Sequence, residues 1–121
     1  VAFRFSGTTI VGPRGDTGNL IFSSEAEGTS FTSADRLVFV LSSVTGGEIM
    51  RRTLPIDESG QAQLELTHEQ TEALAPGRYL WSARYVLDAQ LNEVGVVTGG
   101  SWVDTPWRNC EFVVQEVNGQ L

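Results

Sequence analysis

Apolar and polar residues alternate with a period of two through much of the chain, and the clearest instance lies between Asp57 and Leu87. There, Ala62, Leu64 and Leu66 alternate with Gln61, Gln63 and Glu65, which predicts a strand with one wet face. The polar cluster Asp57-Glu58-Ser59-Gly60 before it predicts a hairpin turn. Thr67 follows the strand and Gln70 stands three residues on, the spacing of a capping box, so a short helix is expected near 68–74. Glu69 and Glu72 place negative charge where a helix N-terminus favours it, and Pro76-Gly77 prevents continuation. The following segment carries Tyr79, Trp81, Ala83, Tyr85 and Leu87 on one face, which predicts a long strand on the core.

The same reading extends outward from this spine. Ala2 to Ser6, Thr8 to Val11 and Leu20 to Ser23 are short strands, with a Gly-rich loop from Gly12 to Gly18 between the second and third. Ser24 to Ala34 is polar and small, and a connection, partly mobile, is expected there. Asp35 to Val44 reads as the most buried strand. Leu37, Val38, Phe39, Val40 and Leu41 put apolar side chains on both faces, so cover is expected on both, with a second subunit as one source. Gly46-Gly47 turns the chain into a partner strand, Glu48 to Leu54, and Pro55 suits a strand exit. Asp88 to Asn92 reads as a loop and Glu93 to Thr98 as a strand. Gly99-Gly100 breaks that strand, Ser101 to Val103 is a short piece, Asp104 to Trp107 is a turn, and Cys110 to Val117 is the last strand. Seven to nine short strands with frequent turn signals and one brief helix predict an all-β, antiparallel, immunoglobulin-like sandwich, formed as one domain over residues 1–121.

Composition narrows the functional classes. The net charge is −7 and all eight cations are arginine. Such a balance disfavours nucleic acid and anionic membrane surfaces as partners. No apolar run approaches the roughly 18 residues of a membrane span. Val1 to Ser6 lacks the apolar core of a signal peptide, and a start at Val1 is what removal of a methionine or a longer leader would leave. The single cysteine, Cys110, reads as a small buried hydrophobe and permits no intrachain disulfide.

Candidate chemistry is sparse. His68 is the only histidine and is expected on the solvent face of the short helix, without the orienting group that a catalytic base requires. One His and one Cys fall short of a zinc site. The near pairs Glu25/Glu27, Asp57/Glu58 and Glu65/Glu69 read as solvated faces rather than a catalytic carboxylate pair. Gly12, Gly15 and Gly18 recur at a three-residue spacing without the Gly-Lys-Ser/Thr ending of a phosphate cradle. Arg14-Gly15-Asp16 is a tripeptide that integrins recognise, but a turn accounts for it. No catalytic residue, cofactor or metal ligand is assigned. Val38 and Val40 on the two-faced strand, with Trp102, Trp107 and Arg108 in the late segment, are the candidate interface residues, because Trp and Arg anchor protein surfaces. Sugar stacking on Trp102 and Trp107 is the alternative use of the same side chains.

Several motifs occur together in one order: Arg14-Gly15-Asp16-Thr17, Ile56-Asp57-x-x-Gly60, Leu64-x-Leu66-Thr67-x-Glu69-x-Thr71-x-x-Leu74-x-Pro76-Gly77-x-Tyr79-x-Trp81 and Phe112-x-Val114. In this order the chain resembles the small immunoglobulin-like β-sandwich domains of tailed-phage structural proteins, such as the N-terminal domain of baseplate upper proteins. That resemblance implies a non-enzymatic virion protein of tail, baseplate, neck or capsid-associated position, assembled in the host cytoplasm. It further implies other virion proteins as partners and a homo-oligomeric state, with no cofactor.

Overall fold

The computed structural model describes residues 2–23, 31–57 and 59–116. The connection expected from Ser24 to Ala34 lies largely outside them, as does Glu58. The chain folds as an all-β sandwich with one short helix. The strands are β1 (Arg4–Ser6), β2 (Thr9–Pro13), β3 (Gly18–Ser23), β4 (Arg36–Ser43), β5 (Glu48–Pro55), β6 (Gln61–Leu66), β7 (Gly77–Leu91), β8 (Val97–Val103) and β9 (Cys110–Gln115), and α1 is His68–Glu72. Seven strands form one sheet in the order β1-β2-β9-β7-β4-β5, with β8 also on β7, and β3 pairs with β6 in a small second sheet. All pairs are antiparallel except β2 with β9, which runs parallel. No hairpin constrains that pair, because nearly the whole chain separates the two strands.

The core lies between the sheets. Leu37, Phe39 and Leu41 of β4 face Trp81, Ala83 and Tyr85 of β7, and Leu20, Phe22, Ala62, Leu64 and Leu66 close over them from the small sheet. Trp81 is fully buried at the centre. Its ring lies 5.9 Å from Phe39, 5.6 Å from Phe22 and 6.0 Å from Phe5. Its indole N–H donates to the Thr8 carbonyl at 3.0 Å, so its one polar atom is satisfied.

The spine forms as its alternation predicts. β6 buries every second side chain, and Thr67 caps α1. The Thr67 hydroxyl accepts from the Gln70 N–H at 3.2 Å, and the Gln70 side chain accepts from the Thr67 N–H at 2.9 Å. The helix ends at Glu72, shorter than the 68–74 expectation, because Ala73 is its C-cap and Leu74 closes the turn onto Thr71.

The glycines of the 12–18 segment have separate structural causes. A Cβ on Gly12 would stand 2.5 Å from the Phe3 ring, and one on Gly18 would stand 2.7 Å from the Phe3 Cβ. Phe3 therefore lies in a slot that only glycine leaves open, where it stacks on Phe112 at 5.5 Å. Gly15 takes φ +88° in the turn, and Gly12 and Pro13 belong to β2 rather than to a loop.

The segment from Asp88 to Val103 differs most from expectation. Asp88 to Leu91 continues β7, and Gly99-Gly100 lies inside β8 instead of ending a strand. The register slips between Leu87 and Gln90, Asp88 takes φ +51°, and Gly100 takes φ +132°. A Cβ on Gly100 would meet Val86 at 2.8 Å and the Leu87 carbonyl at 3.0 Å. These glycines thus permit a bulged hairpin to pack closely rather than interrupting it. The expected strand across 93–98 is instead the turn of that hairpin followed by the start of β8.

Candidate interaction surface

β8 and β9 run in the same direction along the same side of β7, interrupted by the 104–109 segment. That segment serves the gap in the ladder. The Trp107 carbonyl accepts from Ala83 N–H at 3.0 Å, the Thr105 hydroxyl donates to the Ala83 carbonyl, and Asn109 N–H donates to the Ser82 hydroxyl at 3.0 Å. The excursion sends the Trp107 ring inward, 5.5 Å from Phe22 and 6.0 Å from Tyr85. Trp107, a surface candidate by sequence, is therefore packed against the core.

Trp102 takes the opposite side. It pairs with Val86, whose side chain points away from the core, and it is 41% exposed. Val38 and Val40 share that outward face, opposite Arg84 and Ser82 of β7 and Thr53 and Arg51 of β5. Of these, Val38, Val40, Arg51, Ser82, Arg84 and Trp102 line an open groove of about 430 Å³ crossing β8, β7, β4 and β5. Three residues singled out in the sequence, Val38, Val40 and Trp102, thus come together. Trp107 and Arg108 do not line the groove.

The groove has an apolar floor and cationic walls. Val38 and Val86 are only 3% and 0% exposed although both point away from the core. That cover comes from within the chain, with no second subunit needed: Gly100 brings β8 against Val86, and Trp102 lines the same groove as Val38. The Arg84 guanidinium carbon sits 5.3 Å from the Trp102 ring centroid, and among the described residues Arg84 has no carboxylate within ion-pair distance. Arg51 is held by Glu48 at 2.7 Å, and its hydrogen bond draws the Glu48 carboxyl below the usual range. Arg108 is tied to Asp104. That bond lowers the Asp104 carboxyl and raises the guanidinium further. Such a surface suits a carboxylate beside an apolar side chain; it holds no arrangement of base and nucleophile. Arg51 and Arg84 escaped the sequence reading. The signal was the period of two, which puts Arg84 on the face opposite Ala83 and Tyr85.

The remaining motifs are structural. Arg14-Gly15-Asp16 lies against α1: Arg14 Nε donates to the Glu72 carbonyl at 2.9 Å, His68 Nδ1 donates to the Gly15 carbonyl at 2.6 Å, and the Thr71 hydroxyl donates to the Asp16 carbonyl at 2.8 Å. Asp57 Oδ1 accepts from Gln61 N–H, Ser59 N–H and the Ser59 hydroxyl at 2.7–3.0 Å, which holds its carboxyl below the ordinary value. Among the described residues no group of three or more His, Cys, Asp or Glu could hold a metal ion, and no helix is long and apolar enough to cross a membrane. No protein-family model matches the chain, and neither does any curated protein.

Proposed function

We propose that the protein is a non-enzymatic structural or adaptor component of a bacteriophage virion, held in a tail, baseplate, neck or capsid-associated assembly by protein–protein contacts. The observation that carries this reading is the outward groove, an apolar floor of Val38 and Val40 bordered by Trp102, Arg84 and Arg51. Tryptophan and arginine are the side chains enriched where protein interfaces bind most strongly. The resemblance to tailed-phage sandwich domains supports the same assignment. Its motifs fall on the capped helix α1, on the turn at Pro76-Gly77 and on the core strand carrying Trp81. The test is gold-labelled antibody imaging of purified particles. Label at one fixed position on the virion is expected. Particles that carry none of the protein by labelling and by peptide mass spectrometry would refute the assignment.

Carbohydrate binding is the second reading, and the exposed ring of Trp102 favours it. With Trp107 turned into the core, stacking would rest on Trp102 alone. A glycan titration of tryptophan fluorescence, compared with Trp102→Phe, separates the two readings. A saturable response lost in the variant would favour sugar.

A further inference from the structure

We infer that the groove on the outward face of the large sheet binds an acidic peptide segment of another protein, with a carboxylate on Arg84 and an adjacent apolar side chain over Val38 and Val40. The inference rests on the assembly reading for a protein partner and adds the chemistry by which that partner is chosen.

The first support is where the chain puts its cations. Ladder register and alternation place Arg4, Arg36, Arg51, Arg78 and Arg84 on the face of the seven-stranded sheet turned away from the core. Among the described residues, the carboxylates at paired positions of that face are Glu48 and Glu111. Five arginines against two glutamates leave the face at +3 in a chain of −7. The excess acid therefore lies elsewhere. Glu65 faces outward from the small sheet, and α1 carries Glu69 and Glu72. Packed sheets stand about 10 Å apart, and the Debye length at physiological salt is about 8 Å. A group docked in the groove thus meets the arginines beside it, while Glu65 across the core is largely screened.

The second support is the pairing pattern on this face. Glu48 holds Arg51 at 2.7 Å, and Glu111 holds Arg78 at 3.1 Å. The Arg36 guanidinium donates to the Ser33 and Asp35 carbonyls. Arg84 differs. It is exposed, its guanidinium lies over the Trp102 ring, and no carboxylate of the described residues is within ion-pair distance. Asp104 feels its charge but is bonded to Arg108. A guanidinium held over a ring keeps its planar fork of N–H donors in place, and that fork fits a carboxylate through two bonds.

The floor of the groove decides the class of partner. Val38 is buried and Val40 half-buried, and with Trp102 they set apolar surface directly beside the charge. Val38 lies opposite Arg84 in the ladder, and adjacent strands are about 4.8 Å apart, so neighbouring residues of one short segment reach both. A nucleic-acid backbone draws its affinity from several phosphates neutralised together. Here Arg51, the other cation of the groove, already has its glutamate. One available guanidinium beside one apolar floor matches one carboxylate beside one aliphatic side chain.

NMR titration of the isotope-labelled protein tests this. The probes are acetylated, amidated peptides carrying Leu-Glu-Leu, Leu-Gln-Leu, Leu-Lys-Leu or Ser-Glu-Ser between glycines, with a single-stranded oligothymidylate beside them. Leu-Glu-Leu should shift the Trp102 indole N–H and the Val38 and Arg84 amides, and should bind there roughly fivefold or more tightly than the other three peptides. Arg84→Gln should abolish its advantage over Leu-Gln-Leu, and Arg84→Glu should turn the preference toward Leu-Lys-Leu. The ranking on the wild type decides the matter even where a variant fails to fold. Equal binding of the Glu and Gln peptides, shifts confined to another face, or tighter binding of the oligonucleotide in the groove would each overturn the inference. Any of these leaves the virion assignment standing, since that is read independently by particle labelling.

Discussion

Asp35 offers a sharp test of how the hairpin arm is held. Its carboxylate is 3% exposed. Oδ2 accepts from Thr32 N–H at 2.8 Å, and Oδ1 accepts from Asp88 N–H at 2.9 Å. Asp88 is the residue with φ +51° at the slip in the β7–β8 register, and Ala89 N–H next to it donates to the Ala34 carbonyl at 2.9 Å. The carboxylate therefore pins the 31–35 segment to the bulge. Asp35→Ala removes two hydrogen bonds to a charged acceptor, each worth about 1.5–3 kcal/mol. Relief of the carboxylate's own desolvation and partial rehydration of Thr32 offset some of that, leaving a loss of about 2–3 kcal/mol. With a urea slope of about 1.5–2 kcal/mol/M, the unfolding midpoint read by tryptophan fluorescence should fall by roughly 1–2 M. Asp35→Asn should cost as much, because one amide end brings a donor against a donor. A midpoint that shifts by less than about 0.3 M in the alanine variant, or not at all in the asparagine variant, would refute the account.

Other expectations follow from the same geometry. Gly12→Ala should cost about 1–3 kcal/mol in urea unfolding, because its Cβ would meet the Phe3 ring at 2.5 Å, and the cost should shrink in a Phe3→Ala background. Thr67→Ala should lower stability by about 1 kcal/mol, whereas Thr67→Ser should retain most of the cap. Trp107→Ala should destabilise by about 3 kcal/mol or more, while Trp102→Ala should cost much less and act mainly on peptide binding, as thermal unfolding and peptide titration would show. Asp57, Asp104 and Glu48 all have carboxyls held below their ordinary values of 3.8, 3.8 and 4.5. Their stabilisation is therefore complete above those values and is lost as pH falls through the lowered ones. Urea midpoints should drop below about pH 4, and Asp57→Asn should flatten that drop.

The fold and the groove were legible to different degrees, and the difference has a physical cause. The spine from Asp57 to Leu87 could be read because each of its signals is local. Alternation in β6 acts over two residues, the Thr67–Gln70 cap over three, and the stop at Pro76-Gly77 over the two residues themselves. Gly99-Gly100 was misread because the local meaning of paired glycines is a break. Their actual cause is close packing across the hairpin, Gly99 against the Gln90 side chain and Gly100 against Val86 and the Leu87 carbonyl, where the register slips. The tryptophans show the same limit. Trp102 and Trp107 stand five residues apart in a segment of similar polarity, yet one borders an exterior groove and the other packs on Phe22. What separates them is the stretch of β7 at Ser82 and Ala83 that pairs with β4 but with neither β8 nor β9; it draws residues 104–109 across its open side and turns one ring inward. The groove is non-local in the same way. Val38, Arg51, Arg84 and Trp102 each come from a different strand and share a face only through ladder register. The period of two states that a side chain points away from its sequence neighbours. Which distant side chains it then meets is decided by pairing, and in this chain pairing is where the surface acquires its arginines.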